Sequence, residues 1–297
     1  MKWKQLPIVA FDTETTGLQP LTGDRVIEFA AVIFRLDDDG AIASTEEHSF
    51  LMNPGIPIPR KVTEITGITD SDVTGQPGFS HFAQNIFELL SGAITVAHNF
   101  PFDRSFLEQS FLREGLHWPS PVAEIDTFDL SIKLFSDAKA HKLMDVCNRL
   151  DVVLSGAHRA TNDAAACGKC FIEMSRRSKQ PDDLQALLDW AGAIGGPPEN
   201  GPIVYGENGQ LIFTEGAYQG EPIIGQPVHL AWMLQARTQA EKGWRFQYSE
   251  TVRKWVARWL NARTSGRARQ HIKSFRPDDW VLDSCNAGDR RDHGLLR

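Results

Sequence analysis

Four consecutive apolar residues, Ile8-Val9-Ala10-Phe11, run straight into Asp12-Thr13-Glu14. No other feature constrains the fold as tightly. A short unbroken apolar run suits a strand buried on both faces, and such a strand needs neighbours on both edges and cover on both sides. Side chains two apart on a strand share a face, so Asp12 and Glu14 project together from its C-terminal end. Adjacent carboxylates raise each other's pKa unless a cation lies between them. Hard oxygen ligands favour Mg²⁺ or Mn²⁺. The C-terminal ends of strands are also where open α/β sheets place their sites.

The following residues supply the rest of a sheet and its cover. Val26–Leu36 reads as a second strand, ending at the turn Asp37-Asp38-Asp39-Gly40, and Glu46–Met52 closes a hairpin with it. Residues 53–59 carry three prolines and form a loop. Helical spacing begins at Phe79 and stops at Gly92, and Ile94–Ala97 is a fourth strand. Helices are predicted at Asp103–Glu114, Thr127–Phe135, Lys142–Leu150 and Ala160–Arg177. This order predicts an α/β domain over residues 1–178, built around one sheet. Residues 179–202 are turn-rich and predict a linker holding one short helix.

Residues 203–276 predict a small basic α+β module. A hairpin turns through Asn208-Gly209, and two helices follow. The second helix has Val252, Trp255, Val256, Trp259 and Leu260 on one face, which predicts a core stripe. Residues 277–297 predict a disordered tail.

Hydrophobic residues make up 41% and charged residues 23%, a globular balance. The net charge of −7 is unevenly spread. Residues 1–178 hold 16 Lys and Arg against 24 Asp and Glu, whereas residues 237–276 hold 11 cations against two acids. An acidic body with a basic extension predicts cation binding in one part and a polyanion contact in the other. No apolar run approaches the ~18 residues of a membrane span, and the N-terminal Met-Lys-Trp-Lys-Gln-Leu-Pro lacks a signal-peptide pattern. With only four cysteines, the expectation is a reducing cytoplasm and no disulfide scaffold. The pair Cys167 and Cys170 is expected to be two half-buried thiols rather than a zinc site. No phosphate-binding Gly-x-x-x-x-Gly-Lys-Ser/Thr loop and no Gly-x-Ser-x-Gly turn is present.

Three ordered motifs carry the chemistry. Phe11-Asp12-Thr13-Glu14-Thr15-Thr16-Gly17-Leu18 resembles the first motif of the DnaQ-like 3′–5′ exonucleases, the DEDDh group. His98-Asn99-Phe100-Pro101-Phe102-Asp103, between a strand and a helix, resembles the second. His158-Arg159-Ala160-Thr161-Asn162-Asp163 resembles the third, His-x-x-x-x-Asp. The resemblance covers about residues 6–178. It implies a ribonuclease-H-like exonuclease domain, with a central mixed sheet flanked by helices, and two catalytic Mg²⁺ or Mn²⁺ ions. By the same pattern Asp12 bridges both ions, Glu14 and Asp163 complete the first site, Asp103 holds the second, and His158 is the general base.

The resemblance extends to substrate contact at Thr15, by hydrogen bond, and at Leu18, by packing under a base. Phe102 is a third candidate, with the core as its alternative. His98 reads equally as a structural histidine, Asp126 as a helix cap, and Glu28 as a solvated surface charge. Gly216-Ala217-Tyr218-Gln219-Gly220 and Leu230–Leu234 resemble the small module of exodeoxyribonuclease-X-like proteins, although Ala217 and Gln219 stand where that module has basic residues. Arg237, Lys242, Trp244, Arg245, Arg267 and Arg269 are candidates for nucleic-acid contact. The implied substrate is single-stranded or frayed DNA 3′ ends, with no membrane partner and protein partners unknown. The motifs do not distinguish the sugar, so an RNA-trimming enzyme stays open. So do a polymerase-held proofreading subunit and an idle binding adaptor, though an adaptor would not need His158.

Overall fold

The computed structural model describes residues 1–154, 156, 159–192, 194–195, 197–198, 201–206, 210–240 and 243–263. Through the first body the chain forms β1 (Ile8–Thr15), β2 (Val26–Leu36), β3 (Ile42–Leu51), α1 (Arg60–Thr66), α2 (Asp70–Val73), α3 (Phe79–Leu90), β4 (Ile94–Ala97), α4 (Phe100–Arg113), β5 (Ala123–Asp126), α5 (Thr127–Leu134), α6 (Leu143–Leu150), α7 (Ala160–Arg177), α8 (Leu184–Ala191) and β6 (Ile194–Gly195). The six strands make one mixed sheet in the order β3-β2-β1-β4-β5-β6. β1 is antiparallel to β2 and parallel to β4, so it lies in the middle as its apolar run requires.

Alternation along β1 divides the core between the two faces of the sheet. Ile8 and Ala10 join a cluster with Phe34, Cys167, Cys170 and Phe171, while Val9 and Phe11 join one with Phe29, Phe100, Phe106 and Phe111. α7 crosses close to β1 and β2, and Gly168 permits that approach. A Cβ at Gly168 would lie 2.2 Å from the Phe34 ring and 2.9 Å from Ala10 Cβ.

The stretch read as a linker contributes to this body. Leu187 and Leu188 of α8 are buried in the first cluster, and β6 pairs with β5. The N-terminus clasps the same stretch: Trp3 N–H donates to Asp182 O at 2.9 Å, Trp3 Nε1 donates to Pro181 O at 2.8 Å, and Lys4 pairs with Asp182 at 2.7 Å.

The second part has its own core. β7 (Ile203–Tyr205) and β8 (Leu211–Phe213) pair antiparallel, followed by α9 (Pro227–Met233), the hairpin of β9 (Arg237–Ala240) and β10 (Gly243–Phe246), and α10 (Glu250–Arg263). Val252, Trp255, Val256, Trp259 and Leu260 are at most 6% exposed and pack with Ile203, Phe213 and Met233, so the tryptophan stripe is core. The turn at Asn208-Gly209 and the tail 277–297 lie outside the described residues. Among those described, no helix is long and apolar enough to cross a membrane.

Candidate active site

β1 outruns β4. Its last pairing with that neighbour is Ala10 with Val96, so the backbone beyond Ala10 has no strand on that side. Asp103, in the first turn of α4, fills the gap: its Oδ1 accepts from Thr13 N–H at 2.9 Å and from Thr13 Oγ1 at 2.7 Å. Asn99, in the left-handed region at φ 70°, turns the chain from β4 into α4. Asp126 fixes that turn, accepting at 2.9 Å from Asn99 N–H and at 2.9 Å from Phe128 N–H at the start of α5. Asp126 is therefore a cap, as expected.

On the other side, α7 brings in Asp163 from its first turn. Asp12, Glu14 and Asp163, all half-buried, offer carboxylate oxygens within 4.8 Å of one another. Asp103 is not one of that trio, being held by Thr13. Crowding and burial perturb Asp12, Glu14 and Asp103. Asp12 is pushed well above the usual carboxylate range, first by burial and then by Asp103, Glu14, Asp163 and Glu28. Glu14 is pushed up to about 7 by burial, Asp163, Glu28 and Asp103, with Arg159 opposing. Burial raises Asp103 to about 7 against the two Thr13 hydrogen bonds. Three carboxylate oxygens so close, two of them on acids that burial and like charge push upward, form a hard donor set that a divalent cation fits.

The first-motif loop is latched behind the acids. Asp24 accepts from Thr16 Oγ1 at 3.2 Å and from Gln19 N–H at 2.9 Å. Its carboxylate occupies the space a Cβ would need at Gly17, where the contact would be 2.2 Å. Arg113 of α4 donates to Pro20 O at 3.1 Å. Thr15 is buried and donates to Gly17 O at 2.7 Å, while Leu18 is 78% exposed on the loop. Phe102 is half-buried in the core beside Phe106, at 5.1 Å between ring centroids.

His98 is structural. Its Nε2–H donates to His141 O at 2.9 Å, so Nδ1 accepts from Thr127 Oγ1 at 2.9 Å. Burial lowers its pKa to about 4 and keeps the ring neutral. Cys147 and Cys170 are buried free thiols with sulfurs 3.5 Å apart, and Cys167 meets Thr127 Oγ1 at 3.3 Å.

Glu28 corrects the sequence reading. It lies opposite Glu14 in the β1–β2 register, is 2% exposed, accepts from Ser49 at 3.2 Å and meets Arg159 at 3.5 Å. Its Oε2 is buried without a hydrogen bond among the described residues. The signal was available: Glu28 is the single acid within the apolar run Val26–Phe34 of a central strand. Arg159, the residue before α7, was also missed. His158, Lys242, Arg267 and Arg269 lie outside the described residues. Arg237, Trp244 and Arg245 are exposed on the β9–β10 hairpin, in the second part of the chain.

The exonuclease family described by the RNase T model matches residues 9–171. A DNA polymerase III subunit epsilon-like protein of Rhodobacter capsulatus is 36% identical over 172 residues, covering 57% of this chain and 24% of that protein. The 3′-5′ exonuclease DinG of Bacillus subtilis is 34% identical over 172 residues, covering 58% of this chain and 18% of its own. A PolC-type DNA polymerase III of Clostridium perfringens is 34% identical over 176 residues, 59% of this chain and 12% of that one. The chain thus spans a quarter or less of the length of these relatives. A crystal structure of Escherichia coli exonuclease I with single-stranded DNA, in a zinc-bound form, aligns at a TM-score of 0.52 and 16% identity. That alignment covers 91% of this chain and 70% of the other, a likeness of fold. The sheet order and its helices are the ribonuclease-H-like fold that the motifs implied, and the acid cluster lies within the matched residues. The chain belongs to the RNase T exonuclease family.

Proposed function

We propose that this chain is a divalent-metal-dependent 3′–5′ exonuclease acting on single-stranded or frayed DNA ends and releasing nucleoside 5′-monophosphates. The observation that carries the reading is the carboxylate trio of Asp12, Glu14 and Asp163 at the end of β1, inside a domain of an exonuclease family. The names of the relatives, among them polymerase III proteins, favour DNA over RNA.

Asp12, Glu14 and Asp163 would hold Mg²⁺ or Mn²⁺, with Asp103 serving a second ion. Such ions, when bound, stabilise the attacking and leaving oxygens of an in-line displacement. The protein supplies the rest. Thr13 fixes the rotamer of Asp103, and Gly168 lets α7 carry Asp163 down onto β1. His158 takes the proton from the attacking water, a role suited to an imidazole with an ordinary pKa near 6.5. Water oxygen bonds to phosphorus, the bond from phosphorus to the 3′ oxygen of the preceding nucleotide breaks, and that oxygen leaves with a proton. Leu18, exposed beside Thr15, packs under the terminal base.

A cytoplasmic setting belongs to the same proposal, and the free state of Cys147, Cys167 and Cys170 supports it. The test of substrate is a comparison of 5′-labelled single-stranded DNA, duplex DNA and RNA of one sequence, with Mg²⁺ and with Mn²⁺. The expected order is single-stranded DNA above duplex and above RNA. Faster RNA cleavage in both metals would replace DNA by RNA as the substrate.

A further inference from the structure

Strand alternation in β10 puts Trp244 and Phe246 on one face of the hairpin, with Arg237 directly across from Phe246. Both rings are exposed, Trp244 at 61% and Phe246 at 39%. Trp244 makes no ring contact among the described residues, whereas Phe246 is dressed with cations. The Arg253 guanidinium of α10 lies 3.5 Å from the Phe246 ring centroid, and that of Arg237 lies 4.9 Å away. A guanidinium stacked by its face still presents N–H groups at its edge, the geometry that grips phosphate in a fork. Arg253 Nε is buried without a hydrogen bond among the described residues, and the charge of Arg253 also acts on Glu250 one turn away. Arg245 is exposed on the same strand but, by the same alternation, on the opposite face.

An open indole beside arginines fits one ligand chemistry in particular. Exposed aromatic surface alone would suit a protein partner, but this cluster is cationic in a chain of net charge −7, which favours a polyanion. A flat indole face accepts a base only when that base has left its stack, which favours a single strand over a duplex. The geometry points to the β9–β10 hairpin as a binding site for single-stranded DNA, with Trp244 stacking on a base and Arg237 and Arg253 holding flanking phosphates. This rests on the nucleic-acid reading above and extends it to a second point of grip, away from the carboxylates. It concerns binding, not bond cleavage.

The experiment is fluorescence anisotropy of 5′-labelled (dT)20 with the full chain in EDTA, where no cleavage interferes. Trp244→Ala should weaken binding about 5- to 150-fold, the range for one lost base stack, and Trp244→Phe should restore most of it. Arg253→Ala should flatten the slope of log affinity against log salt by about 0.7. Because Trp244 is exposed, the melting temperature should not move. Unchanged (dT)20 affinity in Trp244→Ala would overturn the proposal, as would a 20-base-pair duplex binding as tightly as (dT)20. Tight, Trp244-dependent binding by a protein that never cleaves would instead overturn the exonuclease reading and leave this site standing.

Discussion

Asp12 is held among four other carboxyl groups, Glu14, Asp103, Asp163 and Glu28, and burial adds to their repulsion. Without metal the folded protein therefore keeps protons that the unfolded chain has released. Groups with raised folded pKa values contribute stability that is complete below about pH 4 and is lost as pH rises through about 7, where Glu14 and Asp103 titrate. His98 runs the other way, its stability lost as pH falls from 6.5 towards about 4, so it adds no slope above pH 6.5. Two results are expected from thermal melts in EDTA between pH 6.5 and 8. The wild type should lose stability as pH rises, and Asp12→Asn should melt higher than wild type at pH 8. The gain should be at least about 2–4 °C, the shift that roughly 1 kcal/mol produces in a domain of this size. Added Mn²⁺ should stabilise the wild type more at pH 8 than at pH 6.5. Equal melting of wild type and Asp12→Asn at pH 8 would mean the carboxylates do not crowd each other. Asp12 and Glu14 were legible because strand period and charge repulsion act locally. Glu28 was misread because its charge was weighed alone and not against the apolar run Val26–Phe34 around it, which marks β2 as a strand inside the sheet.

Elements with one strong periodicity were read within a few residues: β2, α3, β4 and α7 match their expected bounds. The missed ones are short. α1 has seven residues, below the length at which a helix holds itself together, and it forms between Pro59 and the C-cap Gly67. β5 has four residues, Ala123-Glu124-Ile125-Asp126, and β9 is mostly polar. Pairing made elsewhere in the chain determines such strands. α7 was easily seen, but its closeness to the sheet was not, and Gly168 governs it. Gly→Ala inside a helix ordinarily gains about 0.5–1 kcal/mol. Here the added methyl meets fully buried Phe34, and overpacking costs roughly 1–3 kcal/mol. Gly168→Ala should therefore be destabilised on balance. Its turnover should fall as well, because displacement of α7 carries Asp163 away from Asp12. Denaturant unfolding together with turnover checks both, and a more stable Gly168→Ala would show that the helix and sheet have room to spare.

The whole molecule joins an acidic body to a basic second part. Arg104 and Glu124, buried as an ion pair, with Trp118 Nε1 donating to Glu124 at 2.9 Å, line a cleft with Tyr205, Trp255 and Trp259. Tyr205 is pushed up to about 12 by burial and the nearby Glu124. α10 lies beside β6, so the two parts also meet at the sheet edge. The first unit extends past residue 178, since α8 buries Leu187 and Leu188 in its core. Each such leucine is worth about 1.5–3 kcal/mol, so a chain ending at residue 178 should melt about 10 °C below one ending at residue 198. Circular dichroism of the two shortened chains decides, and equal melting temperatures would return residues 179–198 to the role of a linker.

The central claim is that the carboxylates at the end of β1 cut DNA from its 3′ end with the help of a divalent cation. A time course of 5′-labelled single-stranded DNA tests it most directly, run for wild type and Asp12→Ala with Mn²⁺ and with EDTA. The account predicts that only wild type with Mn²⁺ yields a ladder of labelled strands shortening one nucleotide at a time. Cleavage in EDTA, wild-type rates from Asp12→Ala, or release of the label as mononucleotide at the earliest times would contradict it.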